Sequence, residues 1–488
     1  MRVILSVFLT SATAVLTFWT TLEGSFTYDD RAAVVENSDV IGPTDIGLIF
    51  AHDFWGTPLA ARRSHKSYRP LSILSFRMDH ALSGAADGEP PLAWVVHAHN
   101  VALHAAASAL VCLLAARVFG GDGERALLAG LLFAAHPVHS DVVAQAVGRA
   151  EILSACGVLI GLECWFGARL QGSDADAGAP TPGPTVLRAL LAVVAALAAM
   201  LCKEQGITLL GVCIAGEFAL AVDDVAHPWR RRAGACWVAA PLVLVVGGAL
   251  AVGGRLWVLG FDPPIYDCNQ NPASCEEVWY ARALSYAYLA SRHAWFLVAP
   301  GAEQCYDWSF GAVPPVRTVW DVRNASSVCA AAALIALVAL SQRASSARAR
   351  FALRFGLALG LISFFPASNA LFPVGFTLAE RVLYVPSAGG ALLFAWALHR
   401  IFARRALRCA VALVLLAGCA SRAAQRAADF KTNATLFEAD FNTGEFIFIF
   451  IHRCICCESC SQLDSLPLIY LTSTRQSAAR VTQKCTTT

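Results

Sequence analysis

Apolar residues along this chain recur in long unbroken runs, with neither the alternation of a half-buried strand nor the narrow stripe of a surface helix. A bilayer core about 30 Å thick asks for about 20 apolar residues per helix. Runs approaching that length fall at residues 3–20, 92–118, 126–135, 152–168, 186–201, 207–222, 235–252, 328–341, 355–371, 389–401 and 409–419. The pattern predicts an all-α polytopic membrane protein with about eleven transmembrane helices. A further run, 284–298, is interrupted by Arg292 and His293. The first run follows Arg2, is longer than the apolar core of a signal peptide, and has no clean small-x-small site after it. It reads as an uncleaved anchor.

Composition sharpens the picture. Of 488 residues, 57% are apolar and 15% are charged, against about a quarter charged in soluble proteins. A water-soluble enzyme is excluded. Basic and acidic residues number 37 and 35, so no bulk positive charge invites nucleic acid, and the expected partner is the lipid bilayer. Five of the 17 cysteines crowd the last 35 residues, which reads as a local oddity and not as a disulfide framework.

Lys and Arg in short loops set sidedness. The basic stretches 230–232, 343–354 and 400–408 belong in the cytosol, whereas 23–53 carries seven acids against Arg31 alone and belongs outside. Placing all three basic stretches inside requires 284–298 not to cross as a simple span. The division that follows is an anchor helix at 1–22, a large first lumenal loop at 23–91, a multi-span core at 92–420, and a lumenal tail at 421–488. Two glycosylation sequons, at Asn324 and Asn433, then fall on the lumenal side. The linker 171–185, rich in Gly, Pro, Ala and Asp, reads as a cytosolic loop.

The lumenal stretches carry the chemistry. Asp29 and Asp30 are adjacent carboxylates at a membrane edge, where mutual repulsion favours a raised pKa and suits a general base; a solvated turn is the plainer alternative. His65, Lys66 and Arg69 put three potential cations within five residues, which suits a phosphate ligand or an interfacial helix with snorkelling cations. His136, His139 and Asp141 lie close enough to suggest a metal or a hydrolase, but no matched ligand pair or dispersed triad accompanies them. Arg149, Lys203, Glu204, Glu380 and Arg381 all fall at span ends on the lumenal side. Ionisable groups in such places are costly, and with Arg69 they are expected to surround one anionic headgroup beside Asp29 and Asp30. No phosphate-binding Gly-rich loop ends in Lys-Ser/Thr, so a lumenal transferase has to draw on a lipid-carried donor.

With these residues in view, the chain resembles the protein O-mannosyltransferases that join transmembrane helices to tetratricopeptide repeats, the cadherin-directed group. The resemblance rests on FTYDDRAAVVEN, HDFWGTPL, SHKSYRPLSILSFR, FAAHPVHSDVVAQAVGRAEIL, AMLCKEQGITLLG, DWSFGAVPPV and FPASNALFPVGFTLAERVLYVPSAG, in that order between about Thr17 and Thr435. It implies a GT-C type, inverting glycosyltransferase of the endoplasmic reticulum membrane. Such an enzyme passes mannose from dolichyl-phosphate mannose to Ser or Thr hydroxyls of secretory-pathway acceptor proteins. The family's paired acids match Asp29 and Asp30. Arg69, Arg149, Lys203 and Arg381 are the expected clamp on the donor phosphate, with His65, Lys66, His136, His139, Glu204 and Glu380 in support. No metal ligand or resident cofactor is assigned. The family's repeat array is not legible here, and Cys454, Cys456, Cys457 and Cys460 stand in a tail expected not to be a repeat domain. A transporter or flippase, or an inactive truncated scaffold of the same family, are the alternatives. A transporter sets ionisable groups at mid-bilayer in broken helices, whereas here they gather at one face.

Overall fold

The structure, a computed structural model, describes residues 2–167, 170, 185–222, 235–262, 267–299, 304–309 and 311–442. The stretches 171–184 and 230–232 and the tail 443–488 with its four clustered cysteines lie outside the described residues. Each apolar run became a helix: Arg2–Phe18, Ala93–Val118, Gly123–Ala134, Arg149–Phe166, Val186–Cys202, Thr208–Ala221, Ala235–Val258, Asn324–Arg343, Ala347–Phe364, Tyr384–Ile401 and Arg405–Asp429.

Among the described residues, eight helices are long and apolar enough to cross a membrane, or nine if Gly123–Ala134 and Pro137–Ala144 form one span bent by 46°. Two of the eleven predicted spans fall short for physical reasons. Val186–Cys202 has 17 residues, and Arg149–Phe166 carries Arg149, Glu151 and Glu163. The bend falls at His136-Pro137, where the proline ring cannot continue the helix before it. Leu250 (72% exposed), Ile335 (69%) and Val414 (72%) point away from the protein, which suits side chains that meet lipid.

The largest buried cluster reaches from Phe18 through Leu114, Trp165 and Phe355 to Leu392. Two of its helices meet closely at Gly389, where an added Cβ would stand 2.4 Å from Gly356 O and 2.6 Å from Gly360 N. Only the absence of a side chain lets Ala347–Phe364 and Tyr384–Ile401 touch backbone to backbone, as small residues do between membrane helices.

Polar groups divide between the two ends of the bundle. At one end Arg117 pairs with Glu163 at 2.5 Å and accepts a hydrogen bond on its carbonyl from Arg348, while Arg408 pairs with Glu124 at 2.7 Å. The basic stretches 343–354 and 400–408 therefore share an end, and the first long loop folds at the other.

That loop is a packed unit. Ala33, Val34, Val40, Ile49, Phe54, Ile73 and Phe76 form a core of their own with Val96, Ala146 and Val147. Its longest helix, Pro70–Ser83, starts on proline and stops at Gly84 in the left-handed region (φ 63°). The Asp53 carboxylate accepts from the amides of Trp55, Thr57 and His65 and from Ser64 Oγ at 2.7–3.0 Å, which fixes the turn between HDFWG and SHKSYR.

Residues 284–298 belong to one continuous helix, Trp279–Val298, which Arg292 and His293 do not interrupt. His293 Nδ1 meets Leu289 O at 2.8 Å within that helix, and Nε2 accepts from the Ala379 amide at 3.4 Å. A disulfide, Cys268–Cys275, precedes the helix. No disulfide was legible in the cysteine spacing.

Candidate active site

The loop just after the first helix makes an abrupt turn. Tyr28 has φ 43°, a region that non-glycine residues seldom occupy, at a cost of about 1–3 kcal/mol. Its amide donates to Asn433 Oδ1 at 2.8 Å, and its ring meets those of Tyr306 at 5.1 Å and Phe437 at 6.0 Å. This turn separates the two neighbouring acids. Asp30 is fully buried and accepts from the Val147 amide at 2.9 Å and the Thr27 amide at 3.2 Å. Burial pushes its pKa up to about 7. Asp30 thus fastens the first loop to the backbone ahead of Arg149–Phe166.

Asp29 faces the other way and keeps partial exposure. Its Oδ2 accepts from the Tyr306 hydroxyl at 2.8 Å, and among the described residues Oδ1 makes no hydrogen bond. Burial, then the neighbouring Asp29 charge, holds the Tyr306 phenol well above its ordinary pKa, so it remains a donor. Arg381 lies in the field of Asp141, Tyr306, Asp29 and Glu151. Among the described residues its guanidinium makes no ion pair and no side-chain hydrogen bond, which leaves its donors free for a ligand. The bend at Pro137 brings Asp141 to the same place, where Asp29, Glu151, Arg381 and Arg426 surround it.

Further cations line this region. Arg69 grips Glu204 through Nε at 3.2 Å and Nη2 at 3.1 Å, and Arg255 takes the same carboxylate at 2.8 Å. Two guanidiniums sharing one carboxylate leave an excess of positive charge. Lys203 is buried in an ion pair with Glu151 and stands within the fields of Arg69 and Arg381. His65 completes the rim; burial, then Arg69, holds its pKa down, so it is the neutral imidazole.

Comparison with known proteins adds the lineage. The family model described as Protein O-mannosyl-transferase TMTC, DUF1736 matches residues 260–335. Protein O-mannosyl-transferase TMTC4 of Homo sapiens is 34% identical over 457 residues, 87% of this chain and 60% of that one. The TMTC3 protein of Mus musculus is 34% identical over 437 residues (86% and 45%), and its TMTC1 protein 31% over 466 (80% and 48%). Over most of its length the chain is similar to the TMTC proteins. It spans 45–60% of the length of these relatives. An Archaeoglobus fulgidus oligosaccharyltransferase with a tethered acceptor peptide aligns at a TM-score of 0.45 and 14% identity, over 88% of this chain and 55% of that one; so slight a likeness assigns nothing.

In this multi-pass chain the structure gathers some of the expected residues and disperses others. Asp29, Arg69, Lys203, Glu204, Arg381 and His65 come together. Arg149 does not reach into the site. Its guanidinium, 1% exposed, is consumed by Asp79, by Asn100 Oδ1 at 2.8 Å and by Val96 O at 2.7 Å. Lys66 reaches Leu59 O at 2.9 Å and Leu259 O at 3.3 Å, tying the loop to the end of Ala235–Val258.

The histidines play local roles. His136 Nδ1 accepts from the Val138 amide and Nε2 meets Leu297 O, while His139 Nε2 meets Ser387 Oγ at 2.9 Å inside a nest of Phe133, His104 and Tyr384. Their ring nitrogens do not converge with Asp141. Glu380 is buried and accepts from Gln304 at 2.8 Å. Of the sequon residues, Asn433 is exposed and Asn324 uses its side-chain amide on Thr318 O and Val319 O. Tyr306, Arg255 and Asp79 were not singled out from sequence; the only signal near Tyr306 was the adjoining DWSFGAVPPV.

Proposed function

We propose that this chain transfers mannose from dolichyl-phosphate mannose to Ser or Thr hydroxyls of proteins in the lumen of the endoplasmic reticulum. It acts as an inverting glycosyltransferase of GT-C type. One observation carries the reading: a partly exposed carboxylate, Asp29, with one oxygen held by Tyr306 and no hydrogen bond to the other among the described residues, lies in the field of Arg381, whose guanidinium makes no ion pair or hydrogen bond of its own among those residues. Asp29 Oδ1 takes the hydroxyl proton, the acceptor oxygen bonds to C1 of mannose, and the bond from C1 to the phosphate oxygen breaks in the same displacement. The charge that develops on the leaving dolichyl phosphate is met by Arg381, with Arg69 and Lys203 behind it, so no proton donor is required. The printed names of the relatives support protein acceptors. The Cys268–Cys275 disulfide supports an oxidising lumen for this face.

The test is mannose transfer in microsomes expressing the chain, with labelled dolichyl-phosphate mannose. Asp29→Asn is expected to lower transfer about 10²–10⁴-fold, the range for a general base, with donor binding retained. Arg381→Gln is expected to raise the donor KM. Unaltered transfer by Asp29→Asn refutes the assignment of the base, and no transfer by the wild type refutes the activity for this chain.

A further inference from the structure

We propose that Tyr306 is the positioning residue for Asp29, and that holding it there is what the 260–335 segment contributes to the site. The inference rests on the reading of Asp29 as the base. Among the described residues, five charged or titratable groups feel the Asp29 charge: Asp30 from the same turn, His65 from the first loop, Asp141 from the bent span, Arg381 from the start of its span, and Tyr306. Only Tyr306 makes a hydrogen bond with it, at 2.8 Å, among the described residues. The other four contribute field without direction. The orientation of the carboxylate, and hence which oxygen stays open to an acceptor, is therefore set by one hydroxyl.

The hydroxyl is itself immobilised from several sides. The Tyr306 ring is buried, with Tyr28 edge-on at 5.1 Å and Phe430 edge-on at 6.1 Å. Its amide donates to Asp440 Oδ2 at 3.0 Å, and Asp440 Oδ1 is held by Arg426 at 2.9 Å. The left-handed backbone at Tyr28 points the same way: strain next to a reactive group persists where the surroundings over-determine it. The first loop supplies the acid, the 260–335 segment supplies the hydroxyl, and residues 426–440 lock the two together.

The experiment compares Tyr306→Phe with wild type and Asp29→Asn in the full chain. Phenylalanine keeps the ring packing and deletes one hydroxyl. The expected result is a kcat about 10–100-fold lower, the scale for a misaligned catalytic group or a lost hydrogen bond to a charged one. The donor KM and the thermal inactivation midpoint stay at wild-type values. A wild-type kcat in Tyr306→Phe, with Asp29→Asn inactive, overturns the role of Tyr306 alone. A raised donor KM or a lowered midpoint makes Tyr306 a merely structural residue and also overturns it. Full transfer by Asp29→Asn overturns the underlying assignment of the base, whatever Tyr306→Phe does.

Discussion

Replacing Arg149 by methionine separates a structural arginine from a ligand-binding one. The side chain is 1% exposed and its partner Asp79 is fully buried. The substitution removes that ion pair, the hydrogen bonds to Asn100 Oδ1 (2.8 Å) and Val96 O (2.7 Å), and the stacking of the guanidinium over Phe76 at 4.8 Å. Breaking a buried pair by removing one member costs about 3–5 kcal/mol, because the other charge stays behind. Here His99 also contacts Asp79, which puts the expected loss at the lower end, about 3 kcal/mol, or a factor of roughly 10² in the folded population. Thermal inactivation in detergent reads this directly. Asp79→Asn added to Arg149→Met removes the stranded charge and is expected to restore part of the loss. The reasoning is refuted if Arg149→Met inactivates at the wild-type temperature while donor binding weakens more than tenfold. That outcome would mean the guanidinium reaches a headgroup after all.

Two further outcomes follow from the packing and the charge. Asp30, with its pKa raised by burial to about 7 against 3.8 in the unfolded chain, binds more protons folded than unfolded between those values. Its contribution to stability is therefore fully present below about pH 4 and lost as pH rises to about 7; midpoints measured from pH 4 to 8 are expected to fall with this trend, and Asp30→Asn to flatten it. Gly389→Ala sets a methyl 2.4 Å from Gly356 O and is expected to cost about 1–3 kcal/mol or more. Gly390→Ala, next to it with nothing within 4 Å of its added Cβ, is the neutral control in the same thermal assay.

The helices were legible because a bilayer demands length and apolarity together, and both are written in the one-dimensional pattern. The clustering of Asp29, Arg69, Lys203 and Arg381 was legible for a related reason: ionisable groups at span ends of one sidedness have few places to go. Roles within the cluster were not. Asp29 and Asp30 are indistinguishable as neighbours in sequence, and only the turn at Tyr28 sends one toward Tyr306 and the other onto backbone amides. Arg149 looked equivalent to Arg381 because the buried carboxylate that consumes it, Asp79, lies 70 residues away on the first-loop helix. Tyr306 carried no charge to draw notice, and its partner is 277 residues distant. Pairings at such separations are made by the fold and leave no local mark.

The bond between the Tyr28 amide and Asn433 has a consequence in time. The two residues are 405 positions apart. At a synthesis rate of about 5–20 residues per second, roughly 20–80 s pass between the emergence of the first and of the second. Through that interval the strained turn beside Asp29 has no clasp, and Tyr306 waits likewise for Asp440. Asp29 is thus set in place only after Asn433 has followed it by 405 positions, and a nascent chain that has not yet reached Asn433 is expected to be silent.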